Sequence, residues 1–195
     1  MCRFSRVPLS FSEFKVPQYD LVSLDEIPRV PAPMLNSDEM TYCFFVHKYD
    51  TTYPHLNLHH HIFTLRSYST NILNVDTNGR NYLRWQMKSY DGSRFSFLTP
   101  NGSFLAMTTY FIAIVISNIN RETTIYIKTP NGEMQAYSEA MAGVLEPRFH
   151  REDELFVTAN TDDFNVEHFQ FVPSVMNVVE IQEYMMAKRP GKCAH

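Results

Sequence analysis

The chain has 195 residues, of which 44% are apolar and 19% charged, and its formal net charge is −4. This length and composition predict one folded domain and exclude an intrinsically disordered chain. Because 17 Lys and Arg stand against 21 Asp and Glu, no overall basic charge is present to drive binding to nucleic acid or to an anionic membrane.

The first 39 residues differ from the rest in their proline content. Five of the 11 prolines lie here, and the run from Val30 to Pro33 reads V-P-A-P. Proline is excluded from helix interiors and from central strands. We therefore predict an extended N-terminal arm over residues 1–39, which lies along its own subunit or a neighbouring one; a partly disordered tail is the alternative.

From residue 40 onward, short segments rich in β-branched and aromatic residues alternate with turns. Such segments are typical of β-strands. The predicted strands are Thr41–Tyr49, His61–Tyr68, Asn81–Lys88, Arg94–Leu98, Ser103–Ile119, Thr123–Thr129, Met134–Ser138, Glu154–Asn160 and His168–Ile181. Four dipeptides between strands tolerate a positive φ angle and predict tight hairpin turns. They are Asn78-Gly79, Asp91-Gly92, Asn101-Gly102 and Asn131-Gly132.

The segment Tyr110–Ile116 (YFIAIVI) is apolar at every position. A strand with two apolar faces must be covered on both, so we predict a central strand covered by a second sheet or by another subunit. Near the C-terminus, Val178–Ala187 could form a short helix, and its first half could equally finish a strand. Residues 188–195 are a short basic tail.

Many short strands without βαβ alternation indicate an all-β fold. We predict an antiparallel two-sheet jelly-roll sandwich over residues 40–187, preceded by the extended arm. The candidate subunit-interface residues are large aromatics of the predicted strands, for which filling the core of a single subunit is the alternative. They are Tyr110, Tyr126, Phe156, Phe169 and Phe171.

Two segments of the sequence resemble conserved segments of a known superfamily. Phe97–Phe104 (FLTPNGSF) precedes the long apolar strand, and Ile127–Tyr137 (IKTPNGEMQAY) contains a lysine followed by Asn-Gly-Glu. Their order resembles the tumour necrosis factor and complement globular-head superfamily over about residues 80–181. Phe149–Val157 resembles its late turn, and Phe164–Val179 occupies the place of its final strand. Glu152 departs from the family pattern, where a glycine precedes the aspartate.

The resemblance implies ten strands in two sheets, a homotrimer, and a role in binding a protein partner. A non-enzymatic protein–protein interaction module is therefore the first functional hypothesis. The alternative is a viral or other structural protein whose arm links subunits.

Histidines form the densest cluster of reactive side chains. Five of the 8 histidines lie between His47 and His61. In an extended segment His59 and His61 point to one face, so His55, His59 and His61 are candidates for a metal site or a pH switch. A cupin-like metal-binding protein is thus a second alternative. A cupin places a glutamate a few residues further on, where this chain has Leu65 and Arg66.

Motifs of enzymes and cofactor-binding proteins are missing from the sequence. It holds no G-x-S-x-G, P-loop, H-E-x-x-H or dinucleotide fingerprint, so we expect no catalytic residues and no cofactor. The 3 cysteines show no C-x-x-C spacing, and Cys43 lies in an apolar run that predicts a buried thiol. With neither a signal peptide nor an apolar run of membrane-spanning length, we expect no membrane insertion, and an intracellular or virion location is favoured over secretion.

Overall fold

The computed structural model describes residues 19–23, 29–31, 38–49, 56, 58–66, 71–88, 94–129, 131–144, 154–159 and 163–188. These residues form twelve strands and one helix. In chain order they are β1 (Tyr19–Ser23), β2 (Arg29–Pro31), β3 (Glu39–Lys48), β4 (His60–Arg66), β5 (Asn71–Thr77), β6 (Leu83–Lys88), β7 (Arg94–Leu98), β8 (Thr108–Ser117), β9 (Glu122–Lys128), β10 (Gln135–Ala140), β11 (Glu154–Ala159), β12 (Phe164–Val172) and α1 (Val178–Ala187).

The strands form two antiparallel six-stranded sheets. Sheet A has the order β1-β12-β3-β8-β9-β10, and sheet B has the order β2-β11-β4-β5-β6-β7. The chain passes from one sheet to the other at each step from β1 to β4, and again from β7 to β8, from β10 to β11 and from β11 to β12. Paired strands that wind around two facing sheets in this way form a jelly roll. The predicted all-β sandwich is confirmed.

The core lies between the sheets because the strands alternate apolar side chains toward it. From β3 the inner residues are Met40, Tyr42, Phe44 and Val46, and β6 contributes Leu83 and Trp85. Aromatic rings meet at the centre, where the Phe44 and Phe63 ring centroids are 4.9 Å apart in an edge contact. Much of the aromatic content of the sequence thus fills this core.

The β8 strand is apolar on both faces, as predicted. Tyr110, Ile112, Ile114 and Ile116 belong to the core between the sheets. Phe111, Ala113 and Val115 face the opposite side, where they belong to a second cluster with Ile181, Tyr184 and Met185. The outer cover of the central strand is therefore α1 of the same subunit.

The α1 helix spans Val178–Ala187, so the helical alternative of the prediction is confirmed. The Asn177 side chain accepts hydrogen bonds from the backbone N–H groups of Val179 and Glu180, and the Glu180 side chain accepts one from the Asn177 N–H. This reciprocal cap starts the helix where the sequence permitted either structure. The predicted strand His168–Ile181 is wrong beyond Val172, where β12 ends.

The structure differs from the sequence predictions in three other features. Strand β5 is present although no strand was predicted there. The Asn101-Gly102 turn lies in the crossover from β7 in sheet B to β8 in sheet A, so it is not a hairpin. Gly102 adopts φ +80°, which glycine tolerates because it lacks a Cβ atom. The resemblance implied ten strands, whereas the described residues form twelve.

Asn78-Gly79 and Asn131-Gly132 join the paired strands β5–β6 and β9–β10, as predicted. Asp91-Gly92 lies outside the described residues.

Two segments of the predicted arm are edge strands. β1 pairs with β12 at the edge of sheet A, and β2 pairs with β11 at the edge of sheet B. Pro31 at the end of β2 agrees with the confinement of proline to edge strands. The division of the chain at residues 39 and 187 stays a prediction.

In the part of the chain that the structure describes, no helix is both long and apolar enough to cross a membrane.

Candidate functional site

An open groove of about 200 Å³ lies on the outer face of sheet A. Phe45 and His47 from β3, Thr109 from β8, and Asn165 and Glu167 from β12 line it. The strand register brings them together, because His47 is opposite both Thr109 and Asn165, and Phe45 is opposite Glu167. Three adjacent strands therefore build the groove, next to the area that α1 covers.

Two hydrogen bonds orient the polar side chains of the groove. His47 Nδ1 and Thr109 Oγ1 are 2.9 Å apart, and Asn165 Nδ2 donates to Glu167 Oε1 at 2.7 Å. Each bond uses one polar atom of each side chain. His47 Nε2, Asn165 Oδ1 and the second carboxylate oxygen of Glu167 are further atoms with hydrogen-bonding capacity. The groove thus presents a fixed set of polar atoms beside the Phe45 ring.

A β-bulge borders the groove at His168. The pairing of β12 with β3 shifts between Glu167 and Gln170, and His168 adopts φ +51°, which is uncommon for a residue with a Cβ atom. Its ring contacts Phe45 at 6.0 Å between centroids, and its buried Nδ1 has no hydrogen-bond partner among the described residues. Tyr184 of α1 donates to the His168 carbonyl at 2.8 Å, which fixes the bulge against the helix.

A charged network lies at the same end of the sandwich, between the strand ends of sheet B. Asp76 is fully buried and accepts hydrogen bonds from Arg84 Nε at 2.8 Å and Arg84 Nη2 at 2.6 Å. The His59 Nδ1 atom lies 3.1 Å from the same carboxylate. A two-point contact with arginine is the geometry that best compensates a buried carboxylate.

Lys48 is the second buried charge of this end. Its Nζ donates to Asn81 Oδ1 at 2.7 Å and to the Phe104 carbonyl at 3.1 Å, and it lies 5.3 Å from the centre of the Phe104 ring. Burial lowers the pKa of Lys48 to about 8, although the negative charge of Asp163 opposes this shift. Through these hydrogen bonds Lys48 holds the β5–β6 loop and the β7–β8 loop against the end of β3.

The described histidines of the predicted site lie in different environments. His59 contacts Asp76, His60 Nδ1 lies 3.5 Å from Asp163, and His61 is exposed. His55 lies outside the described residues. Within the described ranges, no three His, Cys, Asp or Glu side chains come together as a metal site. The metal and pH-switch roles of His55, His59 and His61 stay predictions.

The predicted interface aromatics occupy different environments. Tyr110, Phe169 and Phe171 are buried in the core between the sheets. Tyr126 is half-buried on the outer face of sheet A, beside the cluster that α1 covers. Phe156 lies in β11, and the structure does not describe its side chain. The interface role of all five stays a prediction, and three of these side chains pack within the single subunit.

The thiol of Cys43 is buried, as predicted. Burial raises its pKa, which keeps the sulfur protonated. Cys2 and Cys193 lie outside the described residues.

Sequence reasoning missed the groove because its residues come from three distant segments. Phe45 and His47 are more than 100 positions from Asn165 and Glu167. In the sequence, His47 stands out only as one histidine of the cluster between His47 and His61. Its place on β3 opposite two polar residues follows from strand pairing, which no local motif encodes.

Neither a protein-family model nor a curated protein sequence matches the chain. Solved structures of similar fold include the binding domain of botulinum neurotoxin serotype D, with a TM-score of 0.59, 14% identity, and coverage of 87% of this chain and 42% of that one. The serotype G binding domain has a TM-score of 0.59 and 14% identity, with coverage of 89% of this chain and 41% of that one.

The binding domain of botulinum neurotoxin DC in complex with SialylT has a TM-score of 0.56 and 12% identity, with coverage of 89% of this chain and 40% of that one. The chain thus spans less than half the length of these domains. At such identities the likeness shows the fold alone. It supports a β-sandwich without singling out the tumour necrosis factor and complement superfamily.

Proposed function

We propose that the protein is a non-enzymatic binding module that holds a protein partner against the outer face of sheet A. The groove between Phe45, His47, Thr109, Asn165 and Glu167 carries this proposal. It is an open site with oriented polar atoms on a rigid sheet, and such a site holds a ligand group with little loss of conformational freedom.

Exposed apolar side chains near the groove support a protein partner over a small molecule. The Tyr49 side chain is 40% exposed and its ring lies 5.1 Å from the His47 ring. Met107, two residues before Thr109, is 66% exposed and adopts φ +54°. Apolar side chains around a polar groove are typical of protein interaction surfaces.

The solved structures of similar fold are described as binding domains, which agrees with a binding module. One of them is described in complex with SialylT. A carbohydrate is therefore the second candidate ligand for this chain.

An NMR titration of the ¹⁵N-labelled protein with a panel of N-acetyl amino-acid amides and methyl glycosides tests the proposal. We expect at least one amino-acid amide to shift the backbone signals of the five groove residues. The double variant H47A/N165A is expected to lose these shifts, while the variant S138A on exposed β10 keeps them. If glycosides alone shift the groove signals, the ligand is a carbohydrate. If no probe shifts them, the proposed site is wrong.

The predicted homotrimer is a separate question. Another subunit could cover the apolar outer face of the central strand β8, which is a physical reason to expect a trimer. In the structure α1 covers this face within the same subunit. Two strands of the predicted arm likewise pair with strands of the same subunit. Light scattering distinguishes the alternatives, because a monomer has a mass of 22.8 kDa and a trimer three times that mass.

The cupin-like alternative requires a third ligand beside the histidines. His59 already contacts Asp76, and Arg84 neutralises that carboxylate. Metal analysis of the purified protein tests this alternative directly.

A further inference from the structure

We infer that the groove receives a basic side chain of the partner, the guanidinium of an arginine or the ammonium of a lysine. This inference rests on the proposed function and names the chemistry that the groove recognises. It follows from the charge of the lining residues, from the arrangement of their polar atoms and from the size of the groove.

The charge of the groove is negative. Of the five lining residues, Glu167 is the one acidic residue, and its carboxylate accepts a hydrogen bond from the uncharged amide of Asn165. The histidines at the groove are His47 and the bordering His168, which add positive charge only when protonated. Lys128 is in register with Glu167 across sheet A, but it lies on β9, three strands away. Its ammonium group donates to the Gly132 carbonyl. A cationic ligand would complement this carboxylate.

The polar atoms match the donors of a guanidinium. The second oxygen of Glu167 and Asn165 Oδ1 are acceptors on β12, while a guanidinium presents five N–H donors in a planar fork. Phe45 lines the same groove with a side chain that is 6% exposed. A basic side chain therefore finds hydrogen-bond acceptors beside an apolar residue, and the acceptors on β12 carry the recognition.

The size of the groove separates this ligand from a glycan. Its volume of about 200 Å³ is smaller than the about 300–1,000 Å³ of pockets that bury a drug-sized ligand. This space accommodates a guanidinium with its methylene groups. An oligosaccharide would leave most of its atoms outside, and a sialic acid carboxylate would be repelled by Glu167.

The experiment is an NMR titration of the ¹⁵N-labelled full-length protein with three probes. They are N-acetyl-arginine amide, its uncharged isostere N-acetyl-citrulline amide, and 3′-sialyllactose. The protein variants are wild type, E167Q, and E139Q as a control that removes an exposed carboxylate from β10. The same spectra report whether each variant is folded.

We expect N-acetyl-arginine amide to shift the signals of the groove residues and N-acetyl-citrulline amide to bind about tenfold more weakly, since the interaction with a charged group is lost. E167Q is expected to weaken arginine binding by a similar factor, whereas E139Q leaves it unchanged. Equal binding of the arginine and citrulline probes, or an unchanged affinity of E167Q, overturns the inference while the binding site itself stands. Shifts from 3′-sialyllactose alone also overturn it, in favour of a glycan. If none of the probes shifts the groove signals, the proposed binding site fails together with the inference.

Discussion

The side chain of Lys48 is buried, and its Nζ donates hydrogen bonds to the Asn81 side chain and to the Phe104 carbonyl. Its pKa falls from 10.5 to about 8 because burial disfavours the charged form. Between these two pH values the unfolded chain binds more protons than the folded protein. The free energy of unfolding therefore rises with pH across this interval, and the burial of the charge opposes folding below it.

We predict that the free energy of unfolding of the wild type rises between pH 7.5 and pH 9.0 by about 1 kcal/mol more than that of K48M. Urea unfolding of both proteins at the two pH values measures this difference. Cys43 and Tyr42 have pKa values raised by burial and act in the opposite direction, but they are present in both proteins and cancel. Parallel pH dependences of the two proteins would contradict a buried charged Lys48.

The carboxylate of Asp76 is fully buried, and its negative charge is compensated by the ion pair with Arg84. We predict that D76N lowers the free energy of unfolding by about 3 kcal/mol, since removing one partner leaves the positive charge of Arg84 poorly compensated. Fluorescence of the single tryptophan, Trp85, reports unfolding because its ring is buried in the core. The control E133Q changes an exposed carboxylate and is expected to stay within about 0.5 kcal/mol of wild type. Equal stabilities of D76N and E133Q would show that the ion pair contributes nothing.

At the scale of elements, α1 and β8 depend on each other. Ile181, Tyr184 and Met185 are the buried residues of α1, and they cover Phe111, Ala113 and Val115 of β8. Helices of ten residues are marginal by themselves in water. Burial against sheet A therefore stabilises α1, and α1 keeps an apolar face of the sheet from solvent.

We predict that I181D lowers the free energy of unfolding by about 3 kcal/mol or more, because it places a carboxylate in this apolar contact. The exposed face is expected to make the protein associate as its concentration rises. Urea unfolding and light scattering at two concentrations measure the two effects. Q182D adds the same charge at an exposed position of the helix and serves as the control. A monomeric I181D of wild-type stability would mean that α1 does not protect this face.

At the scale of the whole molecule, the N-terminal segment contributes to both sheets. β1 and β2 form one edge of each sheet, and they pair with β12 and β11. β12 also supplies Asn165 and Glu167 to the groove. The segment predicted as an arm thus supports the strand that carries half of the polar groove residues.

We predict that deletion of residues 1–31 lowers the free energy of unfolding by about 2 kcal/mol or more, through the loss of backbone hydrogen bonds along both edges. The uncovered edges of β11 and β12 are expected to promote association. Urea unfolding and light scattering of the intact and shortened proteins measure this. If the arm instead linked subunits, the intact protein would be the larger species and the shortened one a stable monomer.

Local patterns in the amino-acid sequence are enough to predict the class of fold and most of the strands. Alternation of apolar and polar residues, aromatic content and Asn-Gly turns are local signals, and they predicted an antiparallel sandwich with correct bounds for β7. The same local signals offered α1 as an alternative with the observed bounds Val178–Ala187. They did not decide between helix and strand beyond Val172, where β12 ends, because this choice depends in part on distant residues: the apolar face of sheet A, together with the local Asn177 cap, favours a helix from Val178 on.

The identity of the element that covers β8, and the place where the polar groove residues meet, depend on contacts between distant parts of the chain. The sequence required a cover for Phe111, Ala113 and Val115, and a second sheet, a subunit or a helix would each have satisfied that requirement. Likewise, His47, Thr109 and Glu167 come together through antiparallel pairing of three strands whose separation along the chain exceeds 50 residues at each step. Local patterns specify which face of a strand is buried, whereas the register between distant strands arises only when the whole core packs.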